Sequence, residues 1–347
     1  MTATLVCYFA RVGDLVMLTP VLRALAADGP LDLCARPWAR DILAHEPWMR
    51  SIHVLGKPNA PFWQEFMLGS PRARLGRTLA AAGYGRIVIM DKEGPQIRRW
   101  IGDWNRGAGI LELPLSRQDP TLHLIDANIA AARAAGVVVA DPVPKLTVPE
   151  SLRAAASTRL AAVGRRVLAI QPGTSLTHRW LRRMPNLRGL TPGQWARLLS
   201  RILADGDADG VVILGSPPER REAREIVAAL PANQRARVAS WHGTYNLADL
   251  PGILAGCVAC ISADTGPAHI ASTVGTPLMV FFGPSDPGRF AARGAAPIEL
   301  LIGNAPCRPC QSTPLYKRCK ANVCLTGLSD AILHDAWRRL ATRSAKV

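Results

Sequence analysis

The sequence lacks the features that would assign it to a membrane-spanning or secreted class. No apolar run reaches the roughly 18 residues that a membrane-spanning helix needs. No basic segment precedes the apolar run at Leu5 and Val6, so the N-terminus does not resemble a secretory signal and we expect a cytoplasmic protein. Aromatic residues make up only 5% of the chain, and neither a long Lys/Arg block nor a nucleic-acid-reading motif is present, so no nucleic-acid partner is expected.

What the chain has in excess is positive charge. Its 42 Lys and Arg residues outnumber its 26 Asp and Glu residues, which gives a formal net charge of +16. This surplus predicts attraction to polyanions: nucleic acid, an anionic membrane or a phosphorylated acceptor. Much of the surplus is Arg, whose planar fork binds phosphate through two nitrogens. A generally basic surface explains the same surplus, so the composition leaves both interpretations open.

Strand-like and helical patterns alternate along the chain. Continuous apolar runs at 4–10, 31–35 and 167–171 are typical of buried parallel strands, and helical periodicities lie between such runs. The alternation predicts two doubly wound, Rossmann-like α/β domains in tandem. We place the domain boundary at residue 163, so that the predicted domains are 1–163 and 164–327, followed by a helix within 328–347.

One short motif has the composition of a phosphate-binding turn. Residues 262–269, Ser-Ala-Asp-Thr-Gly-Pro-Ala-His, lie between an apolar run and a helical pattern. The aspartate and threonine are helix-capping types, and the glycine allows close approach of a ligand to the backbone. Free amides at a helix N-terminus suit a phosphate or diphosphate, although an ordinary capped turn explains the motif as well. The residues expected to present free amides are Thr265, Gly266 and Ala268.

A second motif follows the first predicted strand. It reads Arg-Val-Gly-Asp at residues 11–14, and its aspartate, Asp14, stands beside Gly13 where the strand ends. Ligands of open parallel sheets bind beyond the carboxyl ends of the strands, which is where a catalytic base would be needed. An aspartate at this position is also a good helix cap. The residues alone leave both roles open.

Together the two motifs resemble glycosyltransferase family 9, the ADP-heptose:lipopolysaccharide heptosyltransferases. Gly275-Thr276-Pro277 and the Phe-Gly-Pro-Ser-Asp-Pro run at 282–287 strengthen the resemblance, which extends over roughly residues 5–330 and is weakest between 46 and 167. The resemblance implies a GT-B architecture, in which two Rossmann-like domains face a central cleft. It also implies that the C-terminal helix packs back on the first domain.

The resemblance further implies an inverting transfer that needs no catalytic metal and no other cofactor. Heptose would pass from ADP-L-glycero-D-manno-heptose to an anionic glycolipid, the lipopolysaccharide inner core (Kdo or heptose), at the cytoplasmic face of the inner membrane. Asp14 would be the general base, and Arg11 and Gly13 would contact the acceptor. The donor site is implied at polar residues of the second domain, namely Thr174, Ser175, His178, Arg179, Glu219, Asp264, Thr265, Gly266 and His269.

One of these positions departs from the family pattern, and another matches it only roughly. His178 stands where the family usually has a phosphate-binding lysine, so Arg179, Arg182 and Arg183 are candidates for the missing charge. Glu219 matches only roughly an acidic residue that contacts the donor ribose in the family. An ordinary helix start explains Glu219 equally well.

The eight cysteines fall into two groups. Four lie in predicted strands or at a helix end and are expected to be buried core thiols: Cys7, Cys34, Cys257 and Cys260. The other four lie within 18 residues of a loop-like segment, where they could hold structural zinc or iron or could be free thiols under a loop. These four are Cys307, Cys310, Cys319 and Cys324.

Three functions are therefore weighed. The first is the lipopolysaccharide heptosyltransferase. The second keeps the fold but uses a protein acceptor or another nucleotide sugar. The third is a nucleotide-binding or nucleic-acid-binding module without transfer activity. Turnover of a nucleotide sugar separates the third from the others, and acceptor dependence separates the first two.

Overall fold

The chain forms two compact α/β units. The computed structural model describes residues 2–56, 71–91, 94–105, 107–113, 121–173 and 186–345. The division between the units falls after Leu146, so that they comprise Met1–Leu146 and Thr147–Val347. Throughout the described ranges, no helix is both long enough and apolar enough to cross a membrane.

The first unit is built on a parallel sheet in the order β3-β2-β1-β4-β5. The direction of winding reverses between β1 and β4, which is the switch point where open α/β sheets bind ligands. Its strands are β1 Thr4–Tyr8, β2 Leu31–Ala35, β3 Met49–Val54, β4 Arg86–Ile89 and β5 Gly109–Glu112. Its helices are α1 Val12–Ala27, α2 Ala39–Ile42, α3 Pro71–Ala81, α4 Gly94–Trp104 and α5 Leu124–Ala134.

Helix α1 accommodates a proline in its interior. Pro20 lies inside the helix and has no N–H to donate to the carbonyl of Val16. The hydroxyl of Thr19 donates to that carbonyl instead, at 2.8 Å. Local side-chain chemistry thus replaces the missing backbone bond, and α1 continues to Ala27.

The second unit is built on a larger parallel sheet in the order β11-β10-β9-β6-β7-β8. The winding reverses between β6 and β9, which makes that junction its switch point. Its strands are β6 Val167–Gln171, β7 Gly210–Ile213, β8 Val238–Ser240, β9 Ala259–Ala263, β10 Leu278–Phe282 and β11 Ile298–Ile302. Its helices are α6 Glu150–Ala161, α7 Pro192–Ala204, α8 Arg220–Ala229, α9 Ala232–Arg235, α10 Leu250–Ala255, α11 Gly266–Thr273, α12 Pro287–Phe290, α13 Pro314–Arg318, α14 Val323–Thr326 and α15 Asp330–Ser344.

The predicted architecture of two doubly wound α/β units is confirmed, but the boundary at residue 163 needs correction. Helix α6 belongs to the second unit, because it packs against α10. Gly252 of α10 and Gly256 directly after it lie against Leu152 and Leu160 of α6, where a side chain larger than hydrogen would collide. This close packing moves the division to the link between Leu146 and Thr147.

The C-terminal helix, α15, packs on the second unit, and its implied packing on the first domain stays a prediction. It lies against α7, β10 and β11. Leu333, Trp337 and Leu340 are buried in the core of the second unit. The Trp337 indole Nε1 also donates to Asp207 Oδ2 at 2.6 Å, which ties the helix to the loop after α7. The apolar stripe of α15 is therefore part of this core.

Candidate functional site

The candidate base lies at the switch point of the first unit. Asp14 is the third residue of α1, directly beyond the carboxyl end of β1. Its Oδ2 accepts a hydrogen bond from the Arg11 backbone N–H at 3.2 Å, so Asp14 caps the helix. The Asp14 side chain is half-buried. Capping and catalysis are compatible for a carboxylate, because it has two oxygens. The base role of Asp14 and the acceptor roles of Arg11 and Gly13 stay predictions.

The loop between β1 and α1, which leads to Asp14, is fixed at its start by residues that follow the two neighbouring strands. The Phe9 N–H donates to Asp91 Oδ2 at 2.7 Å, and Arg36 Nε donates to the Phe9 carbonyl at 2.6 Å. Asp91 follows β4 and Arg36 follows β2, the neighbours of β1 on either side. The backbone N–H and carbonyl of the buried Phe9 are thus both hydrogen-bonded, which fixes the direction in which the chain leaves β1.

In the second unit, the turn from β9 into α11 leaves backbone amides uncapped. The Thr265 hydroxyl donates back to the Ala263 carbonyl at 3.2 Å and does not cap the helix. Within the described chain, the amides of Thr265 and Gly266 have no acceptor. The Ala268 amide was expected to be free, but it donates to the Thr265 carbonyl at 3.1 Å. Two of the three predicted amides therefore remain available to an anion.

Three charged or titratable side chains meet at this turn. His269 Nε2 lies 3.9 Å from Asp264 Oδ1, and both residues are buried. Arg188 approaches from the segment before α7: its Nη1 donates to the Asp264 carbonyl at 3.2 Å and lies 4.0 Å from Asp264 Oδ2. Arg188 was not predicted, since a lone Arg-Gly pair before a helix carries no signal of its own.

Glu219 reaches the same edge of the sheet, but its carboxylate is engaged within its own turn. Oε2 accepts from the Ser216 N–H and from the Ser216 hydroxyl, each at 2.6 Å. Oε1 accepts from Gln171 Nε2 at 3.3 Å, and a side chain at Gly173 would collide with it. Glu219 therefore caps a short 3₁₀ turn, as the alternative interpretation proposed, and its contact with a donor ribose stays a prediction.

A polar cluster lies beside Glu219 at the carboxyl ends of β7 and β8. Burial raises the pKa of Glu222 to about 6, although the Asn186 Nδ2 donates to it at 2.8 Å. Burial lowers the pKa of His242, whose Nδ1 lies 2.9 Å from the Ser240 hydroxyl and whose Nε2 has no partner among the described residues. Shifted pKa values of this kind mark candidate ligand sites. Sequence reasoning missed Glu222 and His242, because burial is a tertiary property.

Four of the predicted donor residues lie outside the described residues, namely Thr174, Ser175, His178 and Arg179. The alternative cations Arg182 and Arg183 lie outside them too. The described donor residues that the structure brings together are Asp264, Thr265, Gly266 and His269 at β9, with Glu219 at β7.

The C-terminal cysteines interact with one another: Cys310 interacts with Cys307 and Cys319, and Cys324 interacts with Cys307 and Cys310. Cys307 is exposed, Cys310 and Cys324 are buried, and Cys319 is intermediate. Burial, together with the neighbouring thiols, raises the pKa of Cys310 and of Cys324. Among the described residues no group of three or more His, Cys, Asp or Glu could hold a metal ion. A structural zinc or iron at these cysteines therefore stays a prediction, which metal analysis of the purified protein would test.

The four cysteines predicted to be core thiols are buried, as expected. In the second unit, burial raises the pKa of Cys257 to about 12, and burial raises that of Cys260 further. Both thiols therefore stay protonated at neutral pH and act as small apolar side chains.

Comparison with known proteins gives one family. The model of glycosyltransferase family 9 (heptosyltransferase) matches residues 106–320, which include α11 and the polar cluster. Lipopolysaccharide heptosyltransferase 2 of Salmonella typhimurium is 24% identical over 300 residues, covering 80% of this chain and 81% of that protein.

Solved structures of similar proteins agree in fold. E. coli ADP-heptose lipopolysaccharide heptosyltransferase II superposes with a TM-score of 0.74 at 19% identity, covering 99% of this chain and 100% of that one. E. coli heptosyltransferase WaaC with ADP gives a TM-score of 0.63 at 15% identity, covering 91% of this chain and 98% of that one. These TM-scores show that the chain has the GT-B type of fold.

Proposed function

Since the chain belongs to glycosyltransferase family 9 and is therefore a glycosyltransferase, we propose that it transfers a heptose from ADP-L-glycero-D-manno-heptose to the inner core of a lipopolysaccharide. The receiving sugar is Kdo or a first heptose. The observation that carries this proposal is the uncapped N-terminus of α11, beside Asp264 and His269, at the switch point of the second sheet.

The donor is proposed to lie along the carboxyl edge of that sheet. The free amides of Thr265 and Gly266, at the positive end of α11, suit a diphosphate. Two strands away, the cluster around Glu222 and His242 offers buried polar groups for a nucleoside. The structure of E. coli WaaC with ADP supports an ADP-linked sugar as the donor, since that protein shares the fold.

The chemistry is proposed to be a single displacement. Asp14 takes the proton from the acceptor hydroxyl while that oxygen bonds to the anomeric carbon. The bond from this carbon to the diphosphate oxygen breaks on the opposite face, which inverts the anomeric centre and releases ADP. The amides at α11 and His269 stabilise the charge that develops on the leaving diphosphate, so the step is proposed to need no metal ion.

The acceptor is proposed to be an anionic glycolipid at the cytoplasmic face of the inner membrane. The formal net charge of +16 supports this, because anionic lipids attract basic proteins. Lipopolysaccharide heptosyltransferase 2, a curated relative, is named for a lipid-linked acceptor. The enzyme would bind the membrane surface peripherally.

An ADP-release assay on wild type and Asp14→Asn tests the proposal. ADP-heptose, buffer containing EDTA, and either lipid A-Kdo, its heptosylated product or a protein extract are supplied. We expect ADP release with one lipid acceptor only, and a rate about 10²- to 10⁴-fold lower for Asp14→Asn with unchanged ADP affinity. Release with protein alone would move the function to protein glycosylation, and an undiminished Asp14→Asn rate would leave Asp14 as a helix cap.

A further inference from the structure

One stretch of the second unit, residues 300–329, contains no acidic side chain. All 26 Asp and Glu residues of the chain lie outside this acid-free stretch. It contains four cations, of which Arg308 is occupied, because all three of its side-chain nitrogens donate to backbone carbonyls. The other three are exposed, and their side chains have no bonding or ionic partner among the described residues. These three are Lys317, Arg318 and Lys320.

Other exposed arginines of the same unit are matched by carboxylates. Arg197 pairs with Asp330 at 2.7 Å, and Arg221 pairs with Glu225 at 2.8 Å. Pairs of this kind present little net charge to the solvent. Three unpaired cations between residues 317 and 320 instead concentrate positive charge on one part of the surface, where it attracts an anionic partner.

The acid-free stretch also exposes apolar side chains. Of the eight large apolar side chains that are exposed in the described part of the chain, four belong to it: Leu300, Ile302, Leu315 and Val323. Leu315 is 55% exposed and Val323 is 57% exposed, and they flank the three cations in the sequence. Aliphatic side chains beside cations suit an anionic bilayer, because its interface buries the former while its headgroup phosphates attract the latter. A nucleic acid would use the cations and leave the aliphatic side chains in water.

Hydrogen bonds hold the acid-free stretch at the carboxyl edge of the second sheet. The amides of Cys310 and Gln311 both donate to the carbonyl of Pro284, just beyond β10, at 3.0 Å. Asn322 Nδ2 donates to the carbonyl of Gly189 at 2.8 Å. Strand β10 pairs with β9, which leads into α11. A bilayer that contacts this stretch therefore lies at the same edge of the sheet as the proposed donor site.

We infer that residues 311–323 bind the surface of an anionic phospholipid bilayer. Lys317, Arg318 and Lys320 contact headgroup phosphates, and Leu315 and Val323 enter the bilayer interface. The inference rests on the proposed function, in which the acceptor is a membrane-bound glycolipid. It assigns the membrane contact to one edge of the second unit, whereas the net charge of +16 leaves it spread over the whole surface.

Vesicle flotation of the full-length protein tests the role of the cations, with vesicles of phosphatidylcholine alone or mixed with phosphatidylglycerol. We expect wild type to bind the anionic vesicles, and Lys317→Gln/Arg318→Gln to bind them about 10- to 30-fold more weakly. Arg153→Gln/Arg224→Gln is the matched control, since both arginines are exposed and unpaired among the described residues and lie outside the acid-free stretch. It removes the same charge and should bind within about threefold of wild type.

Leu315→Ser tests the apolar contact separately. We expect it to bind anionic vesicles about tenfold more weakly than wild type, and to keep this deficit in high salt, because salt screens only the cations. Val258→Ser is its control, since Val258 is exposed directly before β9, at the opposite edge of the sheet, and should bind as wild type does. Both positions are exposed, so the melting temperatures should stay close to that of wild type.

Equal losses in the two double variants would show a general effect of charge and overturn the inference. A wild type that binds neither kind of vesicle would also overturn it and leave the acid-free stretch to a protein partner. So would wild-type vesicle binding by both Lys317→Gln/Arg318→Gln and Leu315→Ser.

An ADP-release assay separates this inference from the proposed function. With the acceptor embedded in anionic vesicles, Lys317→Gln/Arg318→Gln should be slower than wild type, and with the acceptor sugar freed of lipid the two rates should be equal. Equal slowing with both acceptors would place these cations in the transfer site and contradict a membrane role. No release by wild type with either acceptor would refute the proposed function alone, because vesicle binding is measured without donor or acceptor.

Discussion

At the scale of single residues, Glu222 has a pH signature that can be measured. Its pKa is raised by burial to about 6, from an ordinary value of 4.5. The folded state therefore keeps a proton that the unfolded chain loses between those pH values. It follows that the free energy of unfolding falls as pH rises through this window, and that the full cost of the buried charge is present above about pH 6.

Glu222→Gln removes that charge and keeps an oxygen that accepts from Asn186. We expect the variant to be more stable than wild type at pH 8, by on the order of 2 kcal/mol, and equal to it at pH 4. Urea unfolding at the two pH values measures the difference. Glu225→Gln is the matched control, since Glu225 is exposed and pairs with Arg221 on the surface. A gain that is the same at both pH values would contradict the assigned pKa.

At the scale of elements, the hydrogen bonds at the end of β1 predict that the transfer rate can be lowered without a change in donor affinity. Asp91→Ala leaves the buried Phe9 N–H without its acceptor, which costs about 1–3 kcal/mol of stability. Because the loop after β1 leads into the first turn of α1, where Asp14 lies, we expect transfer to slow while ADP affinity stays as in wild type. Asp91→Asn keeps an acceptor oxygen and should restore most of the rate. Equal loss of rate in both variants would mean that the Asp91 charge, not the hydrogen bond, is needed.

The placement of α15 predicts which unit depends on it. Trp337 is buried in the core of the second unit and donates to Asp207. Trp337→Ala should cost about 3–5 kcal/mol and lower the melting transition that ADP stabilises. Thermal melting with and without ADP measures this. If the ADP-stabilised transition stays in place, α15 does not support the nucleotide-binding unit.

Sequence patterns predicted the elements with strong local signals. The boundaries of β2 and β6 agree with the predicted runs 31–35 and 167–171, because buried parallel strands are continuously apolar. Strand β11 was not identified, since its exposed edge position makes alternate residues accessible. Helix α6 was identified but assigned to the wrong unit, because its packing on α10 is a contact between segments about 100 residues apart.

At the scale of the whole molecule, each unit places the aspartate of its sequence motif at the switch point of its sheet. Asp14 follows β1 in the first unit, and Asp264 follows β9 in the second. Motif spacing was sufficient to predict both positions, since each is a turn directly after a buried strand. Arg188, Glu222 and His242 could not be predicted. Their significance comes from burial and from missing partners, which exist only once the chain has folded.

The central claim is that the second unit binds the ADP portion of a nucleotide sugar at the start of α11. The most direct measurement is titration calorimetry of wild type and His269→Ala with ADP, GDP, UDP and CDP. We predict that wild type binds ADP selectively and that His269→Ala binds it about tenfold more weakly, as expected for one lost hydrogen bond to a charged group. Preference for another nucleotide would contradict the heptose donor, and binding of none of the four would contradict the donor site.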